Sequence, residues 1–201
     1  MTLFLLRHAE TVFNATRVVQ PPDTPLSERG RTQAARVAER LADAGIGAIR
    51  TSDLARARTT ADVLHERTGA PLEIDPDLRE RDYGAIRGRP YAELADDIFA
   101  PDYVPPDGES WEQFHQRVDR AWSGIVAAAA RTPQPLVVVT HGLVCFSLLS
   151  RHVVVPTGDA VSMRFGNTSV TVVDGPDPWR AQLIDCTAHL DPTLRADGAR
   201  A

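Results

Sequence analysis

Apolar and polar positions alternate along the chain in blocks that predict strands and helices by turns. Leu3 to Leu6 is a short buried-strand run that stops abruptly at two polar residues, Arg7 and His8. Ala15 to Leu26 is rich in proline and polar residues and reads as loop. Ser27 caps a helix running to about Ala44, with Ala34, Val37, Ala38 and Leu41 along one face. Ala48 to Thr51 predicts a strand, Ala55 to Arg67 a helix closed by Gly69, and Leu72 to Ile74 a further strand. Glu109 to Ala130 carries Trp111, Phe114, Val118, Trp122, Ile125 and Val126 at helical spacing. Leu136 to Thr140 is the clearest buried strand, and Gly142 to Arg151 has a helical pattern. Ser169 to Val173 and Trp179 to Ile184 flank Asp174-Gly175-Pro176-Asp177-Pro178, which signals a hairpin.

Strands alternating with helices predict a single α/β domain: a three-layer α/β/α sandwich around a mostly parallel sheet. The domain is expected over residues 1–190, with a lid-like insertion near 90–110 and a polar, frayed tail over 191–201. The apolar C-terminal hairpin is compatible with a homodimer or with completion of the sheet.

Composition narrows the chemistry. At 201 residues, 43% hydrophobic and 24% charged, the chain suits one sizeable core. Twenty-two basic and 27 acidic residues leave a net charge of −5, which disfavours a nucleic-acid partner. Every basic residue is arginine, so a P-loop lysine, a Schiff-base lysine and a lysine general base are all excluded. Cys145 and Cys186 are expected to be free thiols in a reducing cytoplasm. No apolar run approaches the roughly 18 residues of a membrane span. No H-E-x-x-H or paired-cysteine spacing suggests a metal site, and no cofactor is expected.

Three predicted strand ends carry unusual polar residues. One delivers Arg7-His8, one Ser52 and then Arg56, and one His141-Gly142. Ligands bind at the carboxyl ends of strands in open parallel sheets. If these strands are neighbours, two histidines and two arginines meet in one crevice. Guanidinium forks match phosphate oxygens, and the helix starting near Gly142 aims backbone N–H groups at an anion. The pattern points to a small positive pocket for a phosphoryl group.

These segments resemble the histidine phosphatase superfamily, which includes the cofactor-dependent phosphoglycerate mutases. The resemblance is carried by Leu5-Leu6-Arg7-His8-Ala9-Glu10-Thr11 with Asn14, by Asp23 to Gly30 with Gln33-Ala34, and by Ser52 to Ala61. It continues through Leu78-Arg79-Glu80-Arg81-Asp82-Tyr83-Gly84, Gly108-Glu109-Ser110, Val138 to Gly142, Asn167-Thr168-Ser169 and Thr187 to Leu190. It implies a phosphoglycerate mutase-like fold and a phosphohistidine intermediate on His8. Arg7, Arg56 and His141 would clamp the phosphate, with His141 protonated, and Asn14 would add a contact. Glu80 would be the acid and then the base, with Asp82 as the fallback. Gln20, Arg81, Tyr83 and Gly142 would line the substrate side, along with Val12 and the 96–108 segment. The other histidines, His65, His115, His152 and His189, take packing or surface roles.

Departures from the mutase pattern favour a phosphomonoesterase acting on a small phosphorylated metabolite. Pro21 stands where mutases offer a glycine N–H. Tyr91 falls near the place of a mutase lysine, and the acidic, proline-rich stretch from Ala92 to Gly108 lacks the paired arginines of the mutase insertion. An acidic lid would suit a monophosphate with a neutral or basic remainder. The mutase and a non-catalytic phospho-ligand binder are the alternatives.

Overall fold

The computed structural model describes residues 1–156 and 161–195. Its strands are β1 (Thr2–Arg7), β2 (Ala48–Thr51), β3 (Leu72–Ile74), β4 (Leu136–Thr140), β5 (Val170–Asp174) and β6 (Arg180–Cys186). Its helices are α1 (Val12–Thr16), α2 (Glu28–Leu41), α3 (Ala55–Thr68), α4 (Trp111–Ala129) and α5 (Gly142–His152). The six strands form one sheet in the order β3-β2-β4-β1-β5-β6. β3, β2, β4 and β1 run parallel, and β5 and β6 close the sheet with antiparallel pairings.

Alternation along the central strands builds two cores. Leu3 and Leu5 of β1 and Leu136 and Val138 of β4 face Phe114, Val118 and Ile125 of α4 and Val144 and Leu148 of α5. Leu6, Val137 and Val139 point the other way, onto Val37, Ala38 and Leu41 of α2 and Ala57, Ala61 and Leu64 of α3. Both sheet faces are thus covered, and β1 and β4 read as continuous apolar runs for that reason. Burying each large aliphatic side chain contributes about 1.5–3 kcal/mol before entropy is counted. The hydrophobic pattern therefore fixes the register of the strands that carry Arg7-His8 and His141.

Local chemistry sets the helix starts. Ser27 accepts from the Gly30 N–H at 2.9 Å, and Ser110 forms a reciprocal capping box with Gln113. A second capping box, Thr11 with Asn14, opens the short helix α1. That turn lies in a stretch whose helical character the apolar periodicity does not reveal.

The polar tail is folded back over residues 191–195. Gln33 Nε2 donates to the Leu194 carbonyl at 2.7 Å, and Arg195 Nε donates to the Leu190 carbonyl. The frayed tail expected here is therefore tied down by backbone acceptors as far as residue 195, and residues 196–201 lie outside the described residues. Cys145 and Cys186 are both free thiols. No helix among the described residues is long and apolar enough to cross a membrane.

Gly30 lets α2 pack close against the segment after β1. A Cβ there would collide with the Glu10 carbonyl oxygen and lie 2.9 Å from its carbon. Gly→Ala inside a helix ordinarily stabilises by up to about 1 kcal/mol. Here the sign should reverse: Gly30→Ala is expected to destabilise by roughly 1–3 kcal/mol, because backbone must move. A thermal melt that shows an unchanged or higher Tm would contradict this packing.

Candidate active site

β1, β4 and β2 are adjacent, so their carboxyl ends meet. The Arg7↔Thr140 pair ends the β1–β4 ladder, and the His8 N–H extends it by donating to the Thr140 carbonyl at 2.8 Å. His8 and His141 therefore leave neighbouring strands side by side, with ring centroids 5.1 Å apart. Ser52 leaves β2, donating its N–H to the Val139 carbonyl, and its hydroxyl pairs with His141 Nε2 at 3.0 Å. Arg56 follows on the first turn of α3 and is 3% exposed.

His8 is buried and its tautomer is set. Nδ1 lies 2.7 Å from the Ala9 carbonyl, which can only accept, so Nδ1 carries the proton and Nε2 keeps a lone pair. The turn that supplies this acceptor is held from two sides. The Ala9 N–H donates to Thr60 Oγ1 on α3, and the Glu10 N–H donates to Gln33 Oε1 on α2. Asn167 Nδ2 donates to the His8 carbonyl at 3.0 Å. Burial, then Arg56 and Arg7, hold the imidazole well below the usual histidine range, so it is neutral at pH 7.

The cations around it are incompletely paired. Arg7 Nη1 donates to the Phe165 carbonyl, and Arg56 Nη1 donates to the Pro21 carbonyl at 3.2 Å. Arg7 Nε, Arg56 Nε and His141 Nδ1 are buried with no hydrogen-bond partner among the described residues. Burial lowers the Arg56 guanidinium to about 10, which leaves it charged at neutral pH. His141 departs from the protonated state expected of it. Burial, then Arg56, His8 and Arg7, push it well below the usual range, so it is neutral beside two fixed cations.

Glu80 is held by backbone amides. Oε1 accepts from Arg81 N–H at 3.0 Å and Oε2 from Leu143 N–H, in the first turn of α5, at 3.2 Å. Burial still pushes its carboxyl above the usual range, against those two amides and against Arg56 and Arg7. Asp82 instead accepts from Gly84 N–H and from Arg87, closing a local turn.

Arg7, His8, Asn14, Gln20, Arg56, Glu80, Arg81, Tyr83 and Gly142 all line one open cavity of about 1140 Å³. Ser52 and His141 stand behind it, His141 fully buried. Asn14 Oδ1 accepts from the Thr11 N–H and from Asn167, so its remaining capacity is mainly the amide NH₂. Gln20 Oε1 accepts from Thr11 Oγ1 at 2.8 Å. Among the described residues, no group of three or more His, Cys, Asp or Glu could hold a metal ion.

A family model described as the histidine phosphatase superfamily, branch 1, matches residues 3–187. The chain belongs to that superfamily. A probable phosphoglycerate mutase GpmB from Yersinia enterocolitica is 34% identical over 95% of both chains. Among solved structures, a mycobacterial glucosyl-3-phosphoglycerate phosphatase in complex with VO₃ superposes with a TM-score of 0.80. It is 30% identical, over 92% of this chain and 99% of that one. The alpha-ribazole phosphatase from Shigella flexneri gives 0.80 at 25% identity, over 92% and 96%. Members of the superfamily are phosphatases or mutases, so an enzyme is the supported class.

Within this member of the superfamily, three expectations about the substrate side are refined. Val12 is 48% exposed and lies off the cavity, which Phe13 lines instead, because α1 turns Val12 outward. From 96–108 only Phe99 reaches the cavity. The segment packs Ile98, Phe99 and Tyr103 into the core, and its carboxylates stay off the cavity wall. The carboxylates at the cavity wall come from elsewhere, among them Asp77, Asp82, Glu109 and Asp185, and they stand there with Arg164 and Arg195.

Arg81 is the third change. Its Nε, Nη1 and Nη2 donate to the carbonyls of Glu109, Ile98 and Tyr103, and its guanidinium lies 4.2 Å from the centre of the Trp111 ring. It thus holds the 98–109 segment while also lining the cavity. The bland histidines behave as expected of packing groups: His65 with the Ala70 carbonyl, His115 with Ser147, His152 with Asp119 and His189 with Arg40 and Thr168.

Sequence reasoning passed over Thr60, Gln33 as a hydrogen-bonding group, and Asn167 as a support of His8. Gln33 and Asn167 stood inside family-like segments. Only the three-dimensional path of the Ala9–Glu10 turn shows what they hold.

Arg81→Met should leave three carbonyls without a partner and lower stability by about 3 kcal/mol. Limited proteolysis should then open the 98–109 segment, while inhibition by inorganic vanadate stays within about threefold of wild type. A large loss of vanadate affinity with an intact segment would make Arg81 a ligand-binding group instead.

Proposed function

We propose that the chain is a phosphomonoesterase that hydrolyses a small phosphorylated metabolite through a phosphohistidine on His8. The observation that carries the reading is that three buried nitrogens, Arg7 Nε, Arg56 Nε and His141 Nδ1, have no partner among the described residues and stand near a neutral His8 whose Nε2 lone pair is available. The two guanidinium donors call for acceptors, and a phosphoryl group carries several.

In the first step Nε2 of His8 attacks phosphorus, the N–P bond forms and the ester P–O bond breaks. Protonated Glu80 gives its proton to the leaving alkoxide, and burial raises its carboxyl in the direction that this role needs. Glu80, now ionised, takes a proton from water, whose oxygen attacks phosphorus as the N–P bond breaks. Arg7 and Arg56 hold the charge of the equatorial oxygens throughout. A bound dianion would also reverse the electrostatics at His141, favouring its protonation and a third charged donor.

Hydrolysis is favoured over phosphoglycerate isomerisation by the residues around the cavity. Tyr91 lines it near the place the resemblance gives to a lysine, and the chain has no lysine to substitute. Pro21 has no N–H and spends its carbonyl on Arg56 and Thr24. The named phosphatases among the structural neighbours agree with hydrolysis. The mutase name of the 34%-identical relative supports the second reading.

His8→Ala should lower turnover of an aryl phosphate by about a thousandfold or more, with folding intact. Wild type mixed with substrate should carry an acid-labile, base-stable phosphoryl group on His8, and labelling elsewhere would refute the assignment. Phosphoglycerate isomerisation, with bisphosphoglycerate present, that outpaces hydrolysis would establish the mutase.

The pH profile of kcat/KM should be a bell. Activity falls with falling pH as His8 protonates, and burial with Arg56 and Arg7 puts that limb below 6.5. It falls with rising pH as Glu80 loses its proton, at a pH above the usual carboxyl range. Glu80→Gln should cost about 10²–10⁴-fold on alkyl phosphates. It should cost far less on an aryl phosphate whose leaving group needs no proton. Equal losses on both substrates would remove Glu80 as the acid.

A further inference from the structure

One buried side chain outside the cavity wall connects to the His8 tautomer. Gln33 is 0% exposed, on the inner face of α2, with both ends of its amide engaged. Oε1 accepts from the Glu10 N–H at 2.9 Å, and Nε2 donates to the Leu194 carbonyl at 2.7 Å. One partner can only donate and the other can only accept, so the orientation of the amide is determined.

The Glu10 N–H belongs to the same peptide group as the Ala9 carbonyl, and that carbonyl accepts Nδ1–H of His8 at 2.7 Å. Three amide dipoles are thus joined head to tail. The Leu194 carbonyl polarises the Gln33 amide, Gln33 polarises the Ala9–Glu10 peptide, and that peptide receives the imidazole proton. Hydrogen bonds in such a chain strengthen one another in a low-dielectric interior. A stronger acceptor at Nδ1–H raises the electron density at Nε2 and disfavours the other tautomer.

We propose that Gln33 is a positioning residue that ties the docked 191–195 segment to the tautomer and nucleophilicity of His8. This rests on the assignment of His8 as nucleophile. Gln33 touches neither the cavity nor the phosphate site, so its influence falls on the chemical step rather than on substrate binding. Glu10 and Arg29, ion-paired with each other, flank the turn on the α2 side. Asp191, near Arg36, and Arg195 flank it on the tail side.

The experiment compares Gln33→Met and Gln33→Glu in the full chain, with folding checked by circular dichroism and thermal melts. Each is assayed on an aryl phosphate across pH, and each is labelled with ¹⁵N-histidine for NMR. Gln33→Met has no hydrogen-bonding end. It should lower kcat about tenfold with KM nearly unchanged, and shift the His8 nitrogens toward a mixture of tautomers.

Gln33→Glu keeps the shape. Protonated, its hydroxyl donates to Leu194 and its carbonyl accepts from Glu10, so the chain is restored. Ionised, it loses the donor. Its kcat should match wild type while the new carboxyl is protonated and depart from it as pH rises through that carboxyl's pKa, which burial raises, because the carboxylate offers the Glu10 N–H a stronger acceptor and releases the Leu194 carbonyl. If Gln33→Met fails to fold, that pH-dependent departure from wild type decides alone.

Wild-type kcat, pH profile and His8 nitrogen shifts in the folded variants would overturn the proposal. So would a pH-independent loss in Gln33→Glu equal to that in Gln33→Met, which would reduce Gln33 to packing. His8→Ala assayed in parallel separates the two claims. If it still turns over, the nucleophile assignment falls, whereas an inactive His8→Ala beside unperturbed Gln33 variants removes only the role of Gln33.

Discussion

The site depends on one backbone constraint, the in-register parallel pairing of β1 with β4. Five pairs run from Leu3↔Leu136 to Arg7↔Thr140, and the His8 N–H adds one more bond to Thr140. Both strands are buried on both faces, so a slip of one residue would exchange Leu5 with Leu6 between two differently shaped cores. That exchange is costly enough to make the register unique. His8 and His141 are the first residues past the ordered ladder, and their 5.1 Å separation is inherited from it. Arg56 joins them because β2 pairs with the other side of β4.

Holding two guanidiniums in such a place is expensive, and it explains why arginine suits the task. Burial brings Arg56 down to about 10, and it stays charged. The same burial applied to a lysine, whose ordinary pKa is lower, would pull its ammonium closer to losing its charge. The neutral state of His141 has the same origin. Two fixed cations beside a neutral histidine pair make an electrostatically frustrated site, a conflict that the dianion of the proposed reaction would relieve. Such local conflicts are expected where a fold sacrifices stability to chemistry.

The architecture was legible because burial on both faces leaves apolar strand runs and because caps such as Ser27 and Ser110 mark helix starts. The strand-end residues were legible for the same reason, since Arg7-His8 and His141 interrupt apolar runs. The site residues that took other roles are those whose neighbours are distant in sequence. Arg81 reads as a free cation until Ile98, Tyr103 and Glu109 are seen to supply its acceptors. The 96–108 carboxylates read as a lid until Ile98 and Tyr103 are seen to anchor that stretch in the core. Helix α1 was hidden because a Thr11–Asn14 capping box, rather than apolar periodicity, sets it. Protonation of His141 was out of reach because it depends on burial and on two cations from other elements.

Backbone groups, more than side chains, orient the reactive functions. The Ala9 carbonyl sets the His8 tautomer, and the Arg81 and Leu143 amides hold the two oxygens of Glu80. A backbone acceptor cannot be lost by point substitution and can only be moved. This is why a relative 34% identical over 95% of the chain, with about two-thirds of its side chains different, is compatible with the same constellation. It also locates the vulnerability of the site. What must be kept are the groups that prevent those peptides from shifting: Gly30, which lets α2 approach the Glu10 carbonyl, Thr60, which takes the Ala9 N–H, and Gln33, which takes the Glu10 N–H. None of the three touches a phosphoryl group, yet each acts on the atom that would attack one.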